Sequence, residues 1–181
     1  DFTRADAAVQ NVKISSEAGV SVVVGTTGFT AEQRAEMERA IRERKIRAVI
    51  SPNMSVGVNL FFKSVEETAR LLGSDYGAEI VEAHHVHKRD APSGTARKVA
   101  KIIADEFGLS EDKIKIRSIR EGDIIGEHTV IFSTPDERVE IIHRAQSRET
   151  FAAGAMKAVR YVAKKGRAGV VQDMQDVLGL R

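Results

Sequence analysis

The chain has no cysteine among its 181 residues, which excludes a disulfide framework and any thiolate nucleophile. Net charge is small: the +2 is too little to argue for a nucleic-acid partner, and no basic stripe interleaved with aromatics appears. No apolar run approaches the length of a membrane span, and no signal-peptide pattern is visible. Repeats, low-complexity tracts and the HExxH zinc motif are missing as well. What remains is the composition of an ordinary soluble protein, expected in the cytoplasm, with 42% hydrophobic residues to build one core or two small ones. The first residue is aspartate, so a fragment or a processed chain is expected.

Polar chemistry concentrates in one stretch, Glu82-Ala83-His84-His85-Val86-His87-Lys88-Arg89-Asp90-Ala91-Pro92-Ser93-Gly94-Thr95-Ala96. Ile80 and Val81 read as a short strand before it. Ala96, Val99, Ala100, Ile103 and Phe107 recur at helical spacing after it. The cluster is therefore placed on a strand-to-helix connection. Pro92 suits a helix entrance, Ser93 or Thr95 can cap the first turn, and Gly94 admits a close approach of backbone to ligand. Free N–H groups at a helix start bind anions, so a carboxylate held there would lie near His84, His85 and Lys88. Histidine exchanges a proton near neutral pH, and lysine supplies a cation or a second proton. The set fits a small dianion that gains a proton. A solvated basic loop, or a metal site built on His85 and His87, would use the same residues differently.

Along the chain, helices are predicted over 5–18, 31–44, 58–72, 95–107 and 150–165, and strands over 21–24, 46–50, 113–119, 127–133 and 138–145. Thr30 with Gln33 makes a capping box. The alternation up to residue 73 implies right-handed βαβ units and a parallel sheet, in which ligands lie beyond the carboxyl ends of the strands. Gly25-Thr26-Thr27-Gly28 and Ser51-Pro52-Asn53-Met54 occupy those ends. The later hairpin, turning at Thr134-Pro135-Asp136-Glu137, indicates an α+β domain. His128 and His143 fall in the hairpin strands and read as structural. Arg144 and Arg148 read as exposed. Residues 170–180 read as a short amphipathic tail.

The stretch at 82–96 resembles the signature of the dihydrodipicolinate (4-hydroxy-tetrahydrodipicolinate) reductase family. Four further blocks resemble it in the same order: Asp1-Phe2-Thr3, Gly25-Thr26-Thr27-Gly28, the run from Ser51 to Asn59, and Gly122-Asp123-Ile124-Ile125-Gly126-Glu127-His128-Thr129. The resemblance implies an α/β chain: a Rossmann-type parallel-sheet dinucleotide domain, N-terminally incomplete, over 1–78 with 166–181 returning to it. An α+β substrate and oligomerisation domain with a mixed sheet would occupy 79–165. It implies NADH- or NADPH-dependent reduction of a cyclic dicarboxylate in the diaminopimelate/lysine pathway by a cytoplasmic homotetramer. Carried over by position, His84 is the proton donor/acceptor and Lys88 the second proton donor. His85, Gly94 and Thr95 bind substrate carboxylate. Gly25, Thr26, Thr27, Ser51, Pro52, Asn53 and Met54 contact the cofactor, bordered by Thr3 and Arg4. No metal is expected. The family's glycine-rich fingerprint is absent, so the chain is expected to start after it and cofactor preference is not readable. The stretch 110–120 is shorter than the family's. A metal-dependent hydrolase and a non-catalytic oligomerisation fragment are the rival expectations.

Overall fold

The computed structural model describes residues 1–181. They form two compact units, Asp1–Asn59 with Glu149–Arg181, and Leu60–Arg148.

The first unit is built on three short parallel strands, β1 (Val22–Val24), β2 (Ala48–Ile50) and β7 (Val171–Gln172), in the order β1-β2-β7. Side chains of a strand alternate between faces, and β2 uses both. Ala48 and Ile50 pack with Ala8, Val9, Val12, Met37 and Ile41 from helices α1 (Ala5–Glu17) and α2 (Ala31–Arg44). Val49 packs on the other face with Met54 of the loop after β2 and with Ala155, Ala158, Val162 and Met174 from α5 (Glu149–Lys164) and α6 (Met174–Leu178). Burial on both faces explains why β1 and β2 read as unbroken apolar runs. The predicted capping box is present: Gln33 N–H donates to Thr30 Oγ1 and the Gln33 side chain accepts from Thr30 N–H.

Three expectations change here. Residues 170–180 are more than an amphipathic tail, because Val171 and Gln172 pair with Ala48 and Val49 respectively as a third parallel strand. Helix α5 belongs with the parallel sheet and not with the stretch 79–165, because its apolar stripe covers Val49. Likewise the break falls within α3 (Val56–Leu72), at Asn59/Leu60, rather than after residue 78.

The second unit carries a mixed sheet in the order β4-β3-β5-β6: β3 (Gly77–His84), β4 (Lys115–Arg120), β5 (Glu127–Ser133) and β6 (Arg138–Arg144). β3 runs parallel to β4 and antiparallel to β5, and β5–β6 is the predicted hairpin. Ile80, Val130 and Phe132 are fully buried, as are Val99 and Ile103 of α4 (Gly94–Phe107). Phe61 and Phe62 of α3 join them, with Lys98 Nζ 4.4 Å from the centre of the Phe62 ring. No helix is long and apolar enough to cross a membrane.

Candidate active site

Strand β3 is longer than the sequence pattern implied, and that decides the site. It runs through His84, so the polar cluster begins inside the sheet and not on a loop. With a two-residue repeat, Ile80, Glu82 and His84 share one face. Antiparallel pairing sets His128 of β5 opposite Glu82, and parallel pairing sets Arg120 of β4 beside His84. Glu82 is wholly buried, and His84 and His128 are buried with it.

A buried carboxylate is tolerated only when its oxygens are satisfied. Glu82 Oε1 accepts from Arg120 Nη2 at 2.9 Å and from Ser93 N–H at 3.3 Å, and Glu82 Oε2 lies 2.5 Å from His84 Nδ1. Burial alone would raise the Glu82 carboxyl, but Arg120, Ser118 and His84 outweigh it and hold it below the usual carboxylate range. His84 is pushed down, first by burial and then by Lys88 and Arg120, against the upward pull of Glu82. The His84 Nε2 edge faces Gly126, where an added Cβ would sit 3.1 Å from that nitrogen. The His128 ring meets His84 edge-on, centres 5.2 Å apart, and its Nε2 is 3.3 Å from Ser93 Oγ. Burial holds His128 neutral, its pKa lowered to about 3.

After His84 the chain is fastened to the Gly122–Gly126 bend. Glu121 N–H donates to His84 O at 2.9 Å, His85 N–H to Ile124 O at 2.6 Å and Val86 N–H to Gly122 O at 3.2 Å. Arg120 closes the loop from its far side, donating also to Asp90 O at 2.6 Å. Lys88 donates to Asp90 Oδ1 at 2.7 Å, which holds the Asp90 carboxyl below its usual range. Helix α4 then starts at Gly94, capped by Ser93, whose Oγ accepts from Ala96 N–H at 3.2 Å. Gly94 is exposed and Thr95 half-buried at that start, and His85 is half-buried.

The structure thus gathers Glu82, His84, Ser93, Arg120 and His128. Of these, the sequence alone points to His84 as a proton carrier and to Ser93 as the helix cap. The signal for Glu82 is its spacing of two from His84; Arg120 carries none, and His128, legible as a supporting histidine of the hairpin, reaches His84 only through strand pairing. Glu82, His84 and His128 each bring a ligand-type atom within 4.8 Å of the others. That carboxylate already binds a guanidinium, which disfavours a second cation beside it. His85 and His87, the pair weighed for a metal, are outside this group; their rings lie 6.3 Å apart.

In the first unit, β1 and β2 end side by side at the two expected cofactor loops. Thr26, Ser51 and Met54 are buried, whereas Thr27 and Pro52 are exposed and Asn53 is half-buried. Gly25 is a close-approach glycine: a Cβ there would come within 2.2 Å of the Phe2 ring. The second loop is braced internally, Ser51 Oγ donating to Asn53 O at 3.0 Å and Ser55 N–H to Asn53 Oδ1 at 2.9 Å. Asn53 Oδ1 is thus engaged within the loop. Two adjacent loops at the carboxyl ends of parallel strands, with Thr27 and Pro52 exposed, fit a dinucleotide.

The family description "Dihydrodipicolinate reductase, C-terminus" matches residues 57–178, and "Dihydrodipicolinate reductase, N-terminus" matches residues 1–54. The 4-hydroxy-tetrahydrodipicolinate reductase of Methanosphaera stadtmanae is 48% identical over 197 residues, covering 99% of this chain and 72% of its own. That of Methanocaldococcus jannaschii is 48% identical over 195 residues, covering 99% and 70%. Among solved structures, the dipicolinate-bound dihydrodipicolinate reductase from Paenisporosarcina sp. TG-14 superposes with a TM-score of 0.82 at 25% identity, covering 97% of this chain and 71% of its own.

Proposed function

From the premise that the chain belongs to the dihydrodipicolinate reductase family, we propose a division of labour among its residues. The chain is an oxidoreductase of the lysine/diaminopimelate pathway that reduces 4-hydroxy-tetrahydrodipicolinate. The observation that carries the residue assignment is the buried Glu82–His84 pair, set one short loop before a capped helix start.

The nicotinamide nucleotide, NADH or NADPH, supplies a hydride when bound. Gly25, Thr26, Thr27, Ser51, Pro52, Asn53 and Met54 form its edge, the buried members through their backbone. In the second unit the N–H groups of Gly94 and Thr95 receive one substrate carboxylate, with His85 beside them. Lys88 exchanges its Asp90 partner for the dianion, a trade of one charge-assisted bond for another. His84 Nε2 delivers the proton that accompanies hydride addition, and Lys88 is the second proton donor. The dipicolinate in the Paenisporosarcina structure, a planar dicarboxylate, is of the chemical class these groups suit.

The enzyme is proposed to work in the cytoplasm as a homotetramer. In support, Val81, Thr129 and Ile142 stand side by side across β3, β5 and β6 on the face opposite Glu82, and Ile142 is 44% exposed.

The test is oxidation of the reduced nucleotide on addition of substrate. His84→Ala lowers kcat by about 10²–10⁴-fold, the range for a lost general acid. A variant within a few-fold of wild type overturns the assignment.

A further inference from the structure

We propose that Glu82, anchored by Arg120, is the positioning residue of His84: it keeps a proton on Nδ1 and makes the charging of His84 depend on arrival of the dicarboxylate. This rests on the reading of His84 as proton donor.

The first half follows from hydrogen-bond roles. An ionised carboxylate only accepts, so the 2.5 Å contact between Glu82 Oε2 and His84 Nδ1 requires the hydrogen on Nδ1. Neutral His84 then has its lone pair on Nε2, the edge kept clear by Gly126. In that state it cannot donate from Nε2. It becomes a donor there only as imidazolium, so something must load the second proton.

The second half is a charge count over the groups that face the ring. These are Glu82 on its own strand, Lys88 on the following loop, Arg120 on β4 and His128 on β5. Arg120 at 2.9 Å from Glu82 already neutralises it, so a proton on His84 leaves this buried group with a net positive charge. Lys88 adds to that, and neutral His128 contributes burial without compensation. The free site therefore resists charging. A dianion at Lys88 and the α4 start adds two negative charges and reverses the balance. One proton then comes from solvent to Nε2. During reduction the Nε2–H bond breaks, the proton passes to the substrate as hydride adds, and His84 returns to its neutral form.

Two measurements on this chain decide it, and neither needs turnover. The first is calorimetry of pyridine-2,6-dicarboxylate between pH 7 and 8 in buffers of differing ionisation enthalpy. Binding takes up about one proton. Glu82→Gln abolishes the uptake and weakens binding by about tenfold, equivalent to one pKa unit. The second is the imidazole ¹⁵N spectrum of His84. The neutral ring shows the Nδ1–H tautomer, and the titration midpoint moves down in Glu82→Gln but up in Arg120→Gln, which leaves the carboxylate to His84 alone. A general loosening of the site would move both variants the same way. An Nε2–H tautomer, no proton uptake by wild type, or parallel shifts in the two variants overturns the proposal. Should either variant fail to fold, the wild-type tautomer and proton uptake decide alone. Loss of activity in His84→Ala together with any of those results sinks this inference and leaves the role of His84 standing. An active His84→Ala enzyme sinks both.

Discussion

Gly154 sets two physical effects against each other, and their magnitudes predict which wins. It lies inside α5, where glycine is about 0.8–1.0 kcal/mol less favourable than alanine, so propensity alone says that Gly154→Ala stabilises. The packing says otherwise. A Cβ at this position would lie 1.8 Å from Met54 O and 2.8 Å from Met54 C, against an ordinary non-bonded separation of about 3.5 Å. The obstacle is backbone, and it has little room to yield. Met54 is 2% exposed, and the next residue, Ser55, ties its hydroxyl to Thr150 of the same helix at 3.3 Å. Helix and loop must therefore separate. Overpacking of this kind costs about 1–3 kcal/mol, and more where the main chain has to move. With the upper end of that range offset by propensity, a net loss of about 2 kcal/mol is expected. At about 2–4 °C per kcal/mol for a chain of this size, the melting transition of the protein falls by about 4–8 °C. Thermal melts followed by circular dichroism measure it, with Ala153→Gly on the exposed side of the helix as the control. That variant loses only propensity, about 1 kcal/mol. A Gly154→Ala protein melting at or above wild type would refute the reasoning. Because Met54 belongs to the proposed nucleotide edge, nucleotide affinity should fall as well, while dicarboxylate binding by the second unit holds.

Lys88→Ala should weaken pyridine-2,6-dicarboxylate by about 1.5–3 kcal/mol, the scale of a charge-assisted hydrogen bond, and unchanged affinity by calorimetry would place the dianion elsewhere. Acid should destabilise the protein through its buried imidazoles. The folded pKa of His128 is lowered to about 3, and those of His84 and His143 are lowered as well, so the unfolded chain takes up protons first as pH falls below 6.5. Stability present above pH 6.5 is then lost on acidification, by up to about 1.4 kcal/mol per pH unit for each such group. Urea unfolding between pH 6.5 and 4.5 should show this slope, reduced by about one proton in His128→Gln; an unchanged slope in that variant would mean that His128 titrates normally. Ile142→Arg should shift the sedimentation of the enzyme toward smaller species, and an unaltered tetramer would move the interface off this sheet face.

How far the residues spoke for themselves depended on whether the governing interaction was local. The capping box of Thr30 and Gln33 and the apolar spacing of α4 were legible because a helix start and a helix face are decided within a few residues. So was the order of strands and helices up to α3, since both faces of the parallel sheet are covered and β1 and β2 stay apolar throughout. Strand β7 was missed because two residues carry no periodicity; it exists only through its pairing with Ala48 and Val49. The allegiance of α5 was equally invisible, since an apolar stripe does not state which sheet it will cover.

At the site the division is sharper. The motif itself displayed His84, Lys88 and the Ser93–Thr95 helix start, because a strand-to-helix connection is contiguous. The chemistry of His84 is set by groups that are not. Arg120 comes from a strand whose parallel pairing needed a whole helical crossover, and His128 from the first strand of the hairpin. A charge inside a sheet is tolerable only where tertiary pairing delivers its counter-charge. Glu82 had a readable position two residues before His84, but its burial, its ionised state and its hold on Nδ1 were decided when Arg120 arrived beside it.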